Sequence, residues 1–235
     1  MARLPILMYH RVIDSPGEGL SISIEDLRAQ FTFLIAQGYR SWHFSELLEQ
    51  PRLPNGRHVV ITFDDATVDH AEKVYPLLVE LGLRATFFVP MGFLGKQDDW
   101  NQGAIPIMDA DALGRLDPEV VELGYHSFGH GRYDEMSLQE VAADLVLARD
   151  AAREKGLDVA PVLAYPYGKY PRSGSRHLDF CEMLRQAGIR MGLRIGNRVN
   201  RYPFHKPYEV QRLDIKGEYG LKEFKRRLRK GKSWW

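Results

Sequence analysis

Short apolar runs, rich in β-branched and aromatic residues, alternate along the chain with stretches of helical periodicity, the rhythm of βα units. PILMYH, residues 5–10, reads as an opening strand. Ser23 stands three residues before Asp26, ahead of Leu27, Phe31 and Leu34 at helical spacing, so a helix is predicted to start there and to close at Gly38. HVVITF, residues 58–63, is the clearest buried strand, and its end delivers Asp64 and Asp65. A helix over 70–81 stops at Gly82, and ATFFVP, 85–90, is another continuous apolar strand. Gly92, Gly95, Gly103 and Pro106 mark a looser stretch, expected to line a binding groove because long irregular loops in compact domains tend to be functional. The segment 109–116 reads as helical, VVELGYHS leads into a histidine pair, and Ser137 with Glu140 forms a capping box for a helix through about Arg153. PVLAYPYG is a strand ending in a Pro/Gly turn, a helix over 176–187 ends at Gly188, and IRMGLRIG and YEVQRLDI supply late strands. With no internal repeat or low-complexity linker, one domain over 1–235 is expected, with a basic tail from about 221.

Composition narrows the class. A chain of 235 residues accommodates one α/β domain with a large core, and 44% hydrophobic with 27% charged residues is globular, neither disordered nor membrane-like. A formal net charge of +1 argues against a nucleic-acid partner. The C-terminus, LKEFKRRLRKGKSWW, departs from that balance. Its ordinary reading is a solvated helix end and a frayed tail; the alternative is peripheral contact with anionic lipid, helped by Trp234 and Trp235. Cys181 is the only cysteine, so no intramolecular disulfide forms, and its helical spacing from Leu184 and Ala187 predicts packing in or near the core. MARLPILMYHRV is too short and too interrupted for a secretory apolar region, and no segment approaches the roughly 20 apolar residues of a membrane span, so a cytoplasmic location is expected.

Three groups of residues at strand ends carry candidate chemistry, the place where barrels of parallel strands put their active sites. In TFDD, residues 62–65, the adjacent carboxylates point in different directions because strand side chains alternate, and so can take separate roles. In HSFGH, His126 and His130 are four apart and can both reach one divalent metal through neutral imidazole nitrogens. With Asp65 they supply three nitrogen and oxygen ligands, which leaves positions open for water and substrate, as in catalytic zinc sites. In Tyr165-Pro166-Tyr167-Gly168 a rigid turn can aim a backbone N–H into a site. Each group alone has an ordinary reading: an acidic helix cap, a chance histidine pair, a β-turn with packed aromatics.

TFDD, then HSFGH preceded by an ELG strand, then AYPYG, in that order, resembles the polysaccharide deacetylase family, the NodB-homology domain of carbohydrate esterase family four. LMYHRV at the start is similar to a subgroup that includes poly-N-acetylglucosamine deacetylases, and the likeness runs from about residue 5 to 215. The resemblance implies a distorted (β/α) barrel of about seven strands. It implies a metal-dependent hydrolase that removes N-acetyl groups from an N-acetylhexosamine-containing glycan or glycoconjugate precursor. Asp64 would be the general base, Asp65, His126 and His130 would bind a divalent metal, Zn²⁺ first with Co²⁺, Ni²⁺ or Mn²⁺ as alternatives, and Tyr167 would offer its backbone N–H to the oxyanion. Tyr165 and Pro166, in the same turn, are expected at the substrate.

Three departures from the family pattern shape the remaining expectations. Ala66 follows Asp65 where glycine is usual. Ala164 stands where an arginine often pairs with the base, and Arg212, in VQRLDI, is expected to supply that charge from another strand. No leucine-x-x-histidine element is visible to protonate the leaving amine, so His10 is the first substitute and His205 the second. Asp69 and His70 read as helix-start residues, and Trp100 as a wall that stacks on a sugar ring. The rival functions are hydrolysis of a non-sugar amide or an O-acetyl ester, and a catalytically silent carbohydrate-binding protein.

Overall fold

Strands that are apolar on both faces must be covered on both, and closing them into a ring sheathed by helices does so. The computed structural model describes residues 1–101 and 104–231. In chain order, β1 (Ala2–Leu4), β2 (Ile6–Tyr9), β3 (Arg11–Ile13) and β4 (Ser21–Ser23) precede α1 (Ile24–Ala36). Next come β5 (Tyr39–Ser41), α2 (Phe44–Glu49), β6 (Arg57–Phe63), α3 (Tyr75–Leu81), β7 (Ala85–Val89), α4 (Ala110–Gly114) and β8 (Val121–Tyr125). They are followed by α5 (Leu138–Glu154), β9 (Val162–Ala164), α6 (Gly174–Gln186), β10 (Met191–Ile195), β11 (Asn200–Tyr202), β12 (Val210–Asp214) and α7 (Leu221–Lys230). The order β2-β12-β10-β9-β8-β7-β6 is closed by pairing of β2 with β6, and β5 lies beside β6 outside the ring. All these pairings are parallel. The protein is therefore a seven-stranded parallel barrel, as the family resemblance implied.

Side-chain alternation sorts the barrel into an inside and an outside. Ile6, Val60, Phe88, Val162, Leu193 and Val210 form one cluster with Trp42, Phe44 and Leu47. A cluster drawing on six ring strands can only lie within the ring. The opposite parity, Leu7, Ile61, Phe87, Leu123, Leu163 and Leu213, packs outward against helix residues such as Phe31, Leu77, Leu145 and Leu184. At the base of the ring the Glu122 carboxylate accepts from the Phe44 and Ser45 amides, at 2.9 and 2.8 Å, and from the Thr86 hydroxyl at 2.9 Å. It thereby ties the start of α2 under the barrel, where the Phe44 ring meets Phe88 at 6.1 Å. The lower end is plugged, so access lies at the carboxyl ends of the strands.

Local signals held where they were strong. Ser23 caps α1 by accepting from the Asp26 amide at 3.0 Å, Gly38 follows with φ 69°, and the Ser137/Glu140 capping box is present. The helix expected over 70–81 instead begins as a π-helical turn, His70–Val74, and becomes α-helical only at Tyr75. Pro76 has no N–H to continue an ordinary ladder, and the Tyr75 amide reaches back five residues to the His70 carbonyl. The C-terminal run is a helix docked on the body: Phe224 and Leu228 are buried, and Phe224 meets Phe33 at 6.3 Å. Trp234, Trp235 and Gly103 lie outside the described residues. Cys181 is half-buried on α6, 3.6 Å from the His177 ring. Among the described residues no helix is long and apolar enough to cross a membrane.

Gly124 marks a tight point of the barrel interior, since a Cβ there would lie 2.5 Å from the Phe88 ring. Gly124→Ala is expected to cost about 1–3 kcal/mol by overpacking, seen as a lower urea midpoint, with part of the loss recovered in a double variant carrying Phe88→Leu. An unchanged midpoint would show that the interior absorbs the methyl group.

Candidate active site

The inward parity of β6 ends on Asp64, that of β8 runs on to His126, that of β2 to His10, and that of β12 includes Arg212 and Asp214. Arg212, 1% exposed, reaches across the mouth of the barrel and grips Asp64 with both arms of its guanidinium: Nη1 to Oδ1 at 2.5 Å and Nη2 to Oδ2 at 2.7 Å. Nη1 also donates to the Thr62 hydroxyl at 3.3 Å, and the face of Phe88 lies 5.4 Å from Cζ. Burial works to raise the Asp64 carboxyl, but Arg212 and His126 more than offset it, and the group sits below the ordinary carboxylate range. The charge expected from Arg212 is thus present, in bidentate geometry.

Asp65 and Ala66 leave the strand with φ 73° and 50°, which swings the second carboxylate back over the mouth instead of outward. Its Oδ1 lies 3.4 Å from His126 Nε2 and 3.2 Å from His130 Nε2, buried and without a hydrogen bond. His126 Nδ1 is 2.8 Å from the Ala164 carbonyl. That carbonyl can only accept, so Nδ1 carries the proton, and in the neutral ring the Nε2 lone pair is available to a cation beside Asp65. Burial pushes His126 down, yet Asp64 and Asp65 together raise it, whereas at His130 burial wins and the value falls. Asp65 itself is pushed up by burial and pulled well below its usual range by the two histidines. An orphaned carboxylate oxygen beside two imidazole nitrogens, all within 4.8 Å of one another, fits a divalent cation with nitrogen and oxygen preference.

The HSFGH turn is held from behind. Asp144, on α5, accepts from the Phe128 and Gly129 amides, both at 2.9 Å, and from the Tyr133 hydroxyl at 2.7 Å. The His130 amide donates to the Ser127 hydroxyl at 2.7 Å. Sequence reasoning missed Asp144; its only signal is a carboxylate at a core-facing position of α5, in step with Val141, Leu145 and Ala148. His70 was also missed as a support. It is fully buried, and its Nε2 bonds the His10 carbonyl, fixing the backbone from which His10 rises.

His10 Nε2 lies 3.8 Å from Asp64 Oδ2, and His10 lines the same cavity, of about 350 Å³, as Asp65, His126, His130, Trp100 and Tyr167. Other expected residues fall elsewhere. Tyr165 has the outward parity, is fully buried among Tyr133, Tyr170 and Phe180, and donates its hydroxyl to the Tyr208 carbonyl at 3.0 Å. Pro166 is buried in the turn, so of this segment Tyr167, at φ 57°, is the residue that lines the cavity. His205 is exposed, and Asp69 instead binds Arg11 and the Val12 amide. Trp100 lines the cavity as expected, with one face covered by the His130 ring, stacked at 3.8 Å.

Residues 52–192 match the family model for polysaccharide deacetylases. The chain belongs to this family. A Bacillus subtilis (strain 168) protein named as a polysaccharide deacetylase, YxkH, is 24% identical over 172 residues, which is 72% of this chain and 58% of that relative. The chain thus spans under two thirds of the curated relative it matches. Streptococcus pyogenes deacetylase PplD, solved with acetate, superposes with a TM-score of 0.80 at 17% identity, covering 97% of this chain and 98% of that one. IcaB from Ammonifex degensii gives 0.79 at 21% identity, covering 97% and 96%. These likenesses establish the deacetylase fold.

In this polysaccharide deacetylase family member, removing Arg212 leaves burial as the largest influence on Asp64. Arg212→Met is therefore expected to move the Asp64 titration upward, above the ordinary carboxylate range, in carboxyl-carbon NMR. Arg212→Lys, which keeps charge and loses the fork, should move it less. Because the parent value is depressed, the stability this pair contributes is present above the ordinary carboxylate value and is lost as pH falls through the lowered one; Arg212→Met should lack that acid-side loss. An unmoved Asp64 titration would refute the assignment of cause.

Proposed function

We propose that this chain is a metal-dependent hydrolase that removes N-acetyl groups from an N-acetylhexosamine-containing glycan or glycoconjugate precursor. The observation that carries the reading is the meeting, in one cavity, of an arginine-held carboxylate with a carboxylate and two imidazoles poised around a cation-sized gap. Asp65, His126 and His130 would hold the metal, with Zn²⁺ the best match to two nitrogens and an oxygen. A divalent ion bound there would polarise the acetamide carbonyl and make the attacking water more acidic.

The residues of the chain do the rest. Arg212 keeps Asp64 ionised, so that Oδ2, the oxygen nearer the cavity histidines, accepts the proton of the attacking water. Tyr167, held in a left-handed turn at the rim, offers its backbone N–H to the developing oxyanion. His10 donates the proton that the departing amine requires. The basic end of α7 supports an additional contact with anionic lipid headgroups: Arg229 and Lys230 are exposed, Arg3 bonds the Arg229 carbonyl, and Arg3 lies directly opposite Arg201 across the β1–β11 pair.

Acetate release from a panel of N-acetylhexosamine oligomers, a non-sugar acetamide and an O-acetyl ester tests the reading. The parent should be active with Zn²⁺ or Co²⁺ and silent after chelation, and Asp64→Asn should lose about 10²–10⁴-fold in kcat. An Asn variant as active as the parent would remove Asp64 from its role, and acetate released only from the ester would move the activity to the rival substrate class. For His10, a proton donor must be protonated, so the rate should fall on the alkaline side. His10→Ala should lower kcat and abolish that alkaline limb, and an unchanged pH profile would exclude His10 as the acid.

A further inference from the structure

Catalysis as proposed uses carboxylates, imidazoles, a backbone N–H and one buried arginine; on one wall of the same cavity stand side-chain donors that it leaves idle. β3 and β4 pair in parallel, with Arg11 in register with Ser21 and Val12 with Ile22. Val12 and Ile22 are buried in the core, so by alternation the side chains of Arg11 and Ser21 leave the other face together, and both residues line the cavity. Lys216, just past β12, lines it as well. The Gly217 amide donates to the Gly19 carbonyl at 3.0 Å, and a Cβ on Gly217 would fall 1.7 Å from the Ser21 carbonyl oxygen. Both cations are thus carried by backbone that packs on Ser21.

These donors are open to the cavity. The Arg11 side chain is 27% exposed, and Asp69 Oδ1 takes only its Nε, at 3.0 Å. Nη1 and Nη2 have no hydrogen-bond partner among the described residues, and both keep solvent-accessible surface, as does the unpartnered Ser21 hydroxyl. The Lys216 side chain is 26% exposed, and its bond to Asp214 Oδ2 at 2.9 Å leaves two N–H groups over. The balancing carboxylates are the less exposed partners: Asp69 is 11% exposed and Asp214 14%. Asp69 also accepts from the Val12 amide at 2.6 Å, which fixes it behind Arg11. A guanidinium steadied at Nε presents its two Nη groups as a fork, the shape that meets a phosphate or carboxylate with two parallel bonds.

We propose that Arg11, Ser21 and Lys216 form a subsite for an oxyanion, a phosphate or a carboxylate, carried by the sugar substrate. Arg11 Nη1 and Nη2 take two of its oxygens, and Ser21 Oγ and Lys216 Nζ donate to the oxygen lone pairs that remain. Because Asp69 and Asp214 balance the two cations, the anion is held by directed bonds rather than by a long-range field. A neutral hydroxyl fills one arm of the fork and leaves the other idle. The inference rests on the sugar deacetylase reading and narrows its substrate to an acidic glycoconjugate.

The test compares acetate release by the full chain loaded with Zn²⁺ from N-acetylglucosamine 1-phosphate, from N-acetylmuramic acid, whose anion is a carboxylate, and from the neutral methyl glycoside of N-acetylglucosamine. At least one acidic sugar should exceed the neutral one in kcat/KM by about tenfold or more, chiefly through KM, and the better of the two identifies the anion. Arg11→Gln should abolish that preference while the neutral sugar is still cleaved. Arg11→Lys, which keeps the charge and loses the fork, should abolish most of it, and Ser21→Ala should reduce it by less. A preference that survives Arg11→Gln would place the anion on the metal, and equal losses on acidic and neutral sugars would make Arg11 a support for the turn after His10. Either result, or a parent that does not favour an acidic sugar, would overturn the subsite and leave the sugar reading intact. A parent that cleaves 4-nitrophenyl acetate and releases acetate from no sugar would overturn the sugar reading and the subsite with it.

Discussion

The buried pairing of Arg212 with Asp64 is the constraint around which the mouth of the barrel is built. An arginine 1% exposed inside a ring of apolar side chains can remain there only if its charge is met and its donors are used. Asp64 answers both arms, Thr62 takes a further bond, and the Phe88 face receives the cation from below. Beneath this layer the interior is apolar down to the α2 plug; above it β2, β8 and β12 present His10, His126 and Asp214 to the cavity. The ion pair is thus the boundary between a barrel that is stable because it is dry and a cavity able to hold charged groups.

Above the boundary the backbone itself is unusual. Among the described residues six non-glycines have positive φ, and five of them, Asp65, Ala66, Ser127, His130 and Tyr167, belong to the turns that surround the cavity. Each left-handed residue costs roughly 1–2 kcal/mol, so such turns persist only where the surroundings over-determine them. Asp144 does this for the histidine turn, satisfying two amides and a tyrosine hydroxyl at once. At Ala66 the residue is fully buried, and its carbonyl accepts from the Met108 amide at 3.0 Å, tying the carboxylate turn to the long loop that carries Trp100. The alanine standing where glycine is usual leaves the turn in place and keeps a strain that glycine would relieve.

What could be read from the sequence followed from the strength of local signals. β6 and β7 carry continuous apolar runs bounded by turn residues, and the capped helices α1 and α5 announce themselves by side-chain chemistry. Of the three-residue strands, β1, β3, β4, β5 and β11 carry too few positions to show a period, whereas β9 is marked by the Pro/Gly turn that follows it, and α2 is fixed by Glu122, 78 residues away in sequence, rather than by its own pattern. The segments of the site were legible because they sit at strand ends; their directions were not. Tyr165 and Tyr167 look alike as letters, but one belongs to the outer face of β9 continued and the other to a left-handed turn, and only the second faces the cavity. Asp65 was expected to point away from Asp64 by alternation, and the positive φ that brings it back is a property of the turn, which alternation does not describe.

The exchange of arginine and alanine between β9 and β12 follows from volume as much as from charge. Ala164 lies on the inward face of β9, in register with Leu193, which in turn pairs with Val210, one layer below Arg212. Two arginines reaching for one carboxylate from neighbouring layers would bring like charges together in a space without water to screen them. With Arg212 filling the mouth from β12, residue 164 is left with a small side chain, and its backbone carbonyl orients His126. One strand supplies the charge that holds Asp64 and another the backbone oxygen that turns His126 toward Asp65. The two halves of the site are joined through β10, whose Leu193 is in register with Ala164 of β9 on one side and with Val210 of β12 on the other.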